Sequence, residues 1–235
     1  MITAIMITAT TPPITTTMTD GATLLRLLTW LSPAFPVGMF GWSHGLEQAI
    51  ADGAVRDSDT LVDWISGLIA SGSGWTDAVL FAEAHAAARD PDRLAEVADL
   101  ARALAPSAER LAETMGTGNA FLKAARAWPD HCPVLDEAPW PVAVGAACGL
   151  AGIPLQSALV AALHAFAGNL VSVALRLVPL GQTEGVRSLA AVEAIILATA
   201  SRAGRSTLDD LGSAALMSDI AAMRHETLQP RLFLS

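Results

Sequence analysis

The residues with the clearest chemical potential lie at Gly41-Trp42-Ser43-His44-Gly45. This is the G-x-S-x-G spacing of a nucleophile elbow, in which a tight strand-to-helix turn exposes a serine hydroxyl. His44 and Glu47, three residues apart, are spaced either to share a metal ion or to form a solvated pair at a helix start. The other histidines, His85, His131, His164 and His225, show neither H-x-x-x-H nor H-E-x-x-H spacing. His164 lies in an apolar run and is expected in the core with a backbone partner, and His85 on a surface or half-buried helix face. His225-Glu226 beside Arg224 reads either as a solvated, charged helix end or as a partner contact. His131-Cys132 could offer ligands to a soft metal, but no second pair stands at a ligand spacing. Lys123, the only lysine, follows Leu122, so no phosphate-binding Gly-Lys-Ser/Thr exists. Gly72-Ser-Gly74 and Gly116-Thr-Gly118 lack a third glycine and read as helix breaks or close-packing points.

The elements that would position these groups decide between the readings. An elbow needs a strand before the serine and a sheet beneath it. Pro33 and Pro36 exclude a central strand there, and no stretch alternates with period two. Ser43 therefore reads as the N-cap of a helix over Gly45–Asp52, closed by Gly53. Leu24, Leu27, Leu28 and Leu31 form a helical stripe ahead of Ser32-Pro33. Further helices are expected around Leu61–Leu68 and over Trp75–Arg89. Asp90-Pro91 supplies a cap and an N1 proline for a helix to about Ala105, and another runs from about Ser107 to Trp128. After a Pro-rich loop comes a charge-free region, Ala138–Leu175, in which Pro154 starts a new helix. Its seam of Leu159, Leu163, Phe166, Leu170, Val173 and Leu177 reads as the centre of a soluble bundle, not a membrane span. Pro179–Gln182 is a second Pro-Gly loop, followed by a helix to about Ala203. A capping box at Ser206–Asp209 opens the last region, with Leu216, Ile220 and Met223 on one face. The segment Leu228–Ser235 is apolar, which predicts docking on this chain or another. The expected fold is all-α, a single-domain bundle of about ten helices over residues 21–235. It follows a Thr-rich leader, residues 1–20, expected to be disordered, with Met18 as an alternative start.

A formal net charge of −9 in 235 residues argues against nucleic acid, which selects a basic face. Two cysteines make no disulfide framework; Cys148, in an Ala/Gly/Val run, reads as a small buried hydrophobe. No basic, then apolar, leader is visible, so the expected compartment is the cytoplasm. Phe35, Phe40 and Trp42 in the rigid loop are open to both core and contact roles.

Four stretches together resemble the UreF family of urease accessory proteins. They are Leu24-Leu-Arg-Leu-Leu with Ser32-Pro-Ala-Phe-Pro-Val-Gly and Ser43-His-Gly-Leu-Glu47; Pro141-Val-Ala-Val-Gly145; Asn169-Leu-Val-Ser-Val with Pro179-Leu-Gly-Gln-Thr-Glu-Gly185; and Asp219-Ile-Ala-Ala-Met-Arg-His-Glu-Thr227 with Arg231-Leu-Phe233. The resemblance implies an all-helical fold and no catalysis. It implies a chaperone role in urease maturation, through GTP-dependent insertion of nickel into the active site. The implied partners are a UreD/UreH scaffold, the GTPase UreG, urease apoprotein and a second copy of the chain. Nickel would be a transferred ion with no stably bound cofactor. Phe35, Pro36, Gly38, Trp42, Ser43, Gly45, Glu47 and Gln182 match or adjoin the family's loop motifs, and all of them but Gly45 are expected partner-binding residues. Arg224, His225, Glu226, Arg231, Leu232 and Phe233 are carried over as partner contacts. Gly41-Trp42 replaces the usual Ser-Tyr, Gln229 a common Tyr, and Leu234 the usual penultimate Arg.

Overall fold

The computed structural model describes residues 20–235, so the expected leader lies outside the described residues except for Asp20. Among them are eleven α-helices, three short 3-10 turns and no strand. α1 (Gly21–Trp30) is capped by Asp20, whose carboxylate accepts the Thr23 N–H. α2 (Leu46–Ala51) ends at Asp52, and Gly53 adopts the left-handed conformation that closes it. α3 (Ser58–Ser71) and α4 (Ser73–Ala86) meet at Gly72, as the Gly-Ser-Gly spacing predicts. α5 (Pro91–Ala103) carries its expected Asp90 cap and N1 proline, and Ser107 caps α6 (Ala108–Ala125).

α6 runs unbroken through Gly116 and Gly118. Gly118 is instead a close-packing point: a Cβ there would lie 2.0 Å from the Ala138 carbonyl oxygen. The same logic explains α7 (Trp140–Leu150), where small residues let two backbones touch. A Cβ on Gly145 would meet the Phe81 carbonyl at 2.5 Å, and one on Gly149 the His85 carbonyl at 2.3 Å. α8 (Leu155–Leu177) is long and apolar enough to cross a membrane, but half of its most apolar window is buried against the rest of the bundle. Leu159, Leu163, Leu170 and Val173 face inward, as their spacing predicts. Pro154 caps this helix and is not its first residue.

Other expectations need correction. His164 is exposed, because it stands about 100° round the helix from the inward Leu163. The helix expected to reach Ala203 is two, α9 (Gln182–Ala191) and α10 (Glu193–Ala203), joined at Val192. The capping box after α10 is shifted by one residue: Thr207 and Asp210 close a 3-10 turn. Of the first leucine stripe only Leu27 is buried; Leu24 and Leu28 are at least half exposed. In α11 (Leu216–His225) the pattern is inverted. Ser218, Ala221, Ala222 and His225 face inward, while Leu216, Met217 and Met223 face out. The reason is a tight crossing: a Cβ on Gly45 would lie 2.9 Å from the Ala222 backbone nitrogen, so only small side chains fit where α11 passes over Gly45.

Candidate functional site

The loop between α1 and α2 is built on both core and surface. Phe35 is buried, with its ring 5.5 Å from Phe121 and 6.4 Å from Trp128; Trp30 meets Trp128 edge-on at 5.8 Å. Pro36, Gly38 and Phe40 are exposed, and Trp42 is half-buried with its carbonyl accepting from the Asn169 amide at 3.2 Å. His44 has φ of 60°, a left-handed conformation uncommon for a residue with a side chain, and Gly45 follows at 75°. Two consecutive left-handed residues turn the chain sharply and aim the His44 ring into the protein.

Ser43 is neither a nucleophile nor the N-cap, which is Gly45. Its hydroxyl donates to the Ser235 carbonyl and accepts the Glu47 N–H at 3.3 Å, so it still serves the helix start. Its backbone N–H donates to the same Ser235 carbonyl at 2.8 Å. His44 and Glu47 are both buried and do not pair. Each belongs to a separate polar cluster.

The first cluster gathers His44, Asp77, Arg110 and Glu113. His44 Nδ1 lies 3.2 Å from Glu113 Oε1, and Nε2 lies 2.5 Å from Ser73 Oγ. Glu113 is also paired with Arg110 and accepts from Ser235 Oγ at 3.0 Å. Burial alone would raise the Glu113 pKa, but the Arg110 guanidinium and the His44 ring outweigh it and hold it at about 2. Asp77 is different. Among the described residues its only ion pair is with Arg110 at 4.0 Å; its side chain is part-buried, and desolvation pushes its carboxyl above the ordinary range. A cavity of about 50 Å³ is lined by His44, Asp77, Arg110 and Glu113 together with Phe166 and Asn169. A second, of about 70 Å³, shares Asp77, Arg110 and Thr114 with it.

The second cluster fastens the segment Leu228–Ser235, hereafter the strap. His225 is fully buried between two carboxylates, Glu47 at 3.0 Å and Glu109 at 2.7 Å. Each ring nitrogen faces a carboxylate oxygen. Glu47 additionally accepts the Leu232 and Phe233 N–H groups at 2.8 and 3.0 Å. Arg231 pairs with Glu109 at 2.5 Å, and Arg176 lies over the buried Phe233 ring at 4.4 Å. Arg224 reaches Asp52 at 2.7 Å, and the Glu226 carboxylate accepts the Ala108 N–H at the start of α6. The strap thus docks on its own chain, with Leu232 and Leu234 left exposed. Gln182 is exposed at the start of α9, remote in sequence from both clusters.

Asp77, Glu109, Arg110 and Glu113 were not singled out from the sequence. Glu109, Arg110 and Glu113 sit in the first turns of α6, where such charges ordinarily read as a solvated face. Cys148 is fully buried and its thiol is pushed up to about 12, in keeping with a structural role. Among the described residues no group of three His, Cys, Asp or Glu side chains stands ready to hold a metal ion.

The UreF family signature matches residues 55–193. A urease accessory protein UreF of Mesorhizobium japonicum is 56% identical over 216 residues, covering 90% of this chain and 96% of that protein. This chain belongs to the UreF family. The UreF of Agrobacterium fabrum is 52% identical over 91% of the chain and 97% of its own length. UreF 1 of Brucella canis is 51% identical over 90% and 94%. Membership makes the chain an accessory protein and not an enzyme, in agreement with a Ser43 hydroxyl committed to the strap.

Proposed function

We propose that this UreF family member is a cytoplasmic chaperone for the nickel centre of urease. It would act with a UreD/UreH-type scaffold and a UreG-type GTPase on urease apoprotein, as a homodimer, and nickel would be inserted at the cost of GTP. Kinship with proteins named urease accessory protein UreF carries this reading. The surface supports its partner-binding part. α11 turns Leu216, Met217 and Met223 to solvent, and the strap adds Leu232 and Leu234. Apolar side chains fixed on rigid backbone are what a stable interface buries. In this reading the scaffold docks on α11 and the strap. The carried-over residues then divide: Leu232 meets the partner, while His225, Phe233 and Glu47 shape the strap from within.

Deleting the strap would also strip the partners from Glu47 and Glu109, so a surface substitution is the cleaner test. L232D/L234D changes two exposed side chains and leaves the buried anchors intact. Co-expressed with the UreD-type scaffold, the unaltered chain is expected to co-purify and L232D/L234D to be lost from the complex. A folded double variant that co-purifies undiminished overturns the docking assignment.

A further inference from the structure

α8 is the longest helix of the described residues, yet only half of its most apolar window is buried. Along its less buried side run small residues at turn spacing: Ser157, Ala161, Ala165, Gly168 and Ser172. Gly118, Gly145 and Gly149 each press against backbone of this chain, but a Cβ on Gly168 would meet nothing within 4 Å. The smallness of Gly168 thus serves no contact inside the chain, although glycine weakens a helix interior. Beside it lies a groove of about 870 Å³ between α1, α8 and α10, joined to a hollow of about 310 Å³ through Leu31, Ser32, Pro33 and His164. Leu24 and Leu28 of α1 form one wall and Leu197 of α10 stands on the other, each at least half exposed. A contiguous apolar surface of this kind marks an interaction site.

We propose that this face is where two copies of the chain meet. A two-fold contact pairs a patch with itself, so ridge and hollow must stand side by side on it. Here the α1 leucines project beside a groove floored by the small α8 residues. Charge points the same way. At a formal net charge of −9 two copies repel each other unless the surface they share is nearly neutral. Glu193 is the only carboxylate lining the groove and the hollow, and no Lys or Arg lines either. The α11 and strap surface, by contrast, sets its apolar side chains among exposed Arg224, Glu226 and Arg231, which suits a different, charged partner. Size agrees as well: about two dozen residues line the groove and the hollow, and one side of a standard interface uses roughly 20–30. The inference rests on the homodimer reading above and supplies its surface, with the small residues letting α8 approach the second copy closely.

The test is the oligomeric state of the full chain, by sedimentation velocity across the micromolar range, with folding checked by circular dichroism. Wild type is expected to be a dimer. L24E/L28E and, on the other wall, L197E alter side chains at least half exposed, so both variants should fold. L24E/L28E should raise the dimer Kd at least a hundredfold and L197E at least tenfold. G168L sets its side chain in open space within one copy and against the second, and should also raise the Kd at least tenfold. A dimeric wild type whose Kd is unchanged in any folded member of this set overturns the groove and leaves the homodimer reading standing. A wild type that stays monomeric removes both. Loss of scaffold co-purification in L24E/L28E with an undiminished dimer assigns the groove to the scaffold and overturns the proposal. So does a monomer in which deleting residues 1–19 alone speeds amide exchange over residues 24–31, which assigns it to the chain's own leader.

Discussion

Replacing Glu47 with Gln changes one oxygen to NH₂ at the point where three segments meet. The carboxylate accepts three hydrogen bonds, from the Leu232 N–H at 2.8 Å, the Phe233 N–H at 3.0 Å and the His225 ring at 3.0 Å. A carboxamide keeps one acceptor and turns a donor toward at least one of those donors. The lost bond alone costs roughly 1–3 kcal/mol when a buried donor is stranded. Taking about 3 kcal/mol, a domain of this size should lose roughly 6–12 °C in Tm, at 2–4 °C per kcal/mol. Thermal unfolding by circular dichroism measures the global loss, and amide hydrogen exchange over residues 228–235 measures strap opening. Both are expected to move, the strap first. A Tm within about 1 °C of wild type, with unchanged exchange at Leu232 and Phe233, would refute Glu47 as the fastening point.

Two neighbouring glycines of α6 should respond in opposite senses. G116A meets nothing closer than the Trp42 ring at 3.8 Å and should stabilise by about 0.5–1 kcal/mol through helix propensity. G118A would drive a Cβ to 2.0 Å from the Ala138 carbonyl and should destabilise by at least about 3 kcal/mol in urea titration. The acid limb of stability should carry two opposed contributions. Glu113, held at about 2, is stabilising above its unfolded pKa near 4.5, and this is lost as pH falls toward 2; E113Q should flatten that fall. Asp77, raised by burial, costs stability as pH climbs past 3.8, so D77N should equal or exceed wild-type stability at pH 7. A D77N chain clearly less stable at pH 7 would contradict the second assignment.

Local chemistry was largely legible in the sequence. Asp90-Pro91, Ser107, Gly53 and Gly72 cap or stop helices where their types require, and the α8 seam buries Leu159, Leu163, Leu170 and Val173, with Phe166 and Leu177 half-buried. Tertiary crossings were not. The apolar residues of α11 obey a helical period, but Gly45 beneath Ala222 admits only small side chains, so the stripe faces solvent. The polar clusters escaped for a related reason. Glu113 is 69 residues from His44, and His225 is 178 from Glu47. Charges in the first turns of a helix have the same pattern whether water or another segment receives them. The resemblance supplied the family but not this geometry, in which Glu47, His225 and Phe233 are buried within the chain.

The aromatic packing of the first loop has a spectroscopic consequence. The chain contains six tryptophans and no tyrosine, so its near-ultraviolet absorption and its longer-wavelength fluorescence come from indoles without phenol background. Trp30 and Trp128 lie 5.8 Å apart at 84°, close enough for their transitions to couple and give a chiral near-ultraviolet band. That band reports whether α1 remains seated on the C-terminal end of α6. None of the residues that fasten the strap contributes a ring to the pair, so a variant with a released strap and an intact bundle keeps the signal. Local release and global unfolding can therefore be told apart by the protein's own chromophores, with no label attached.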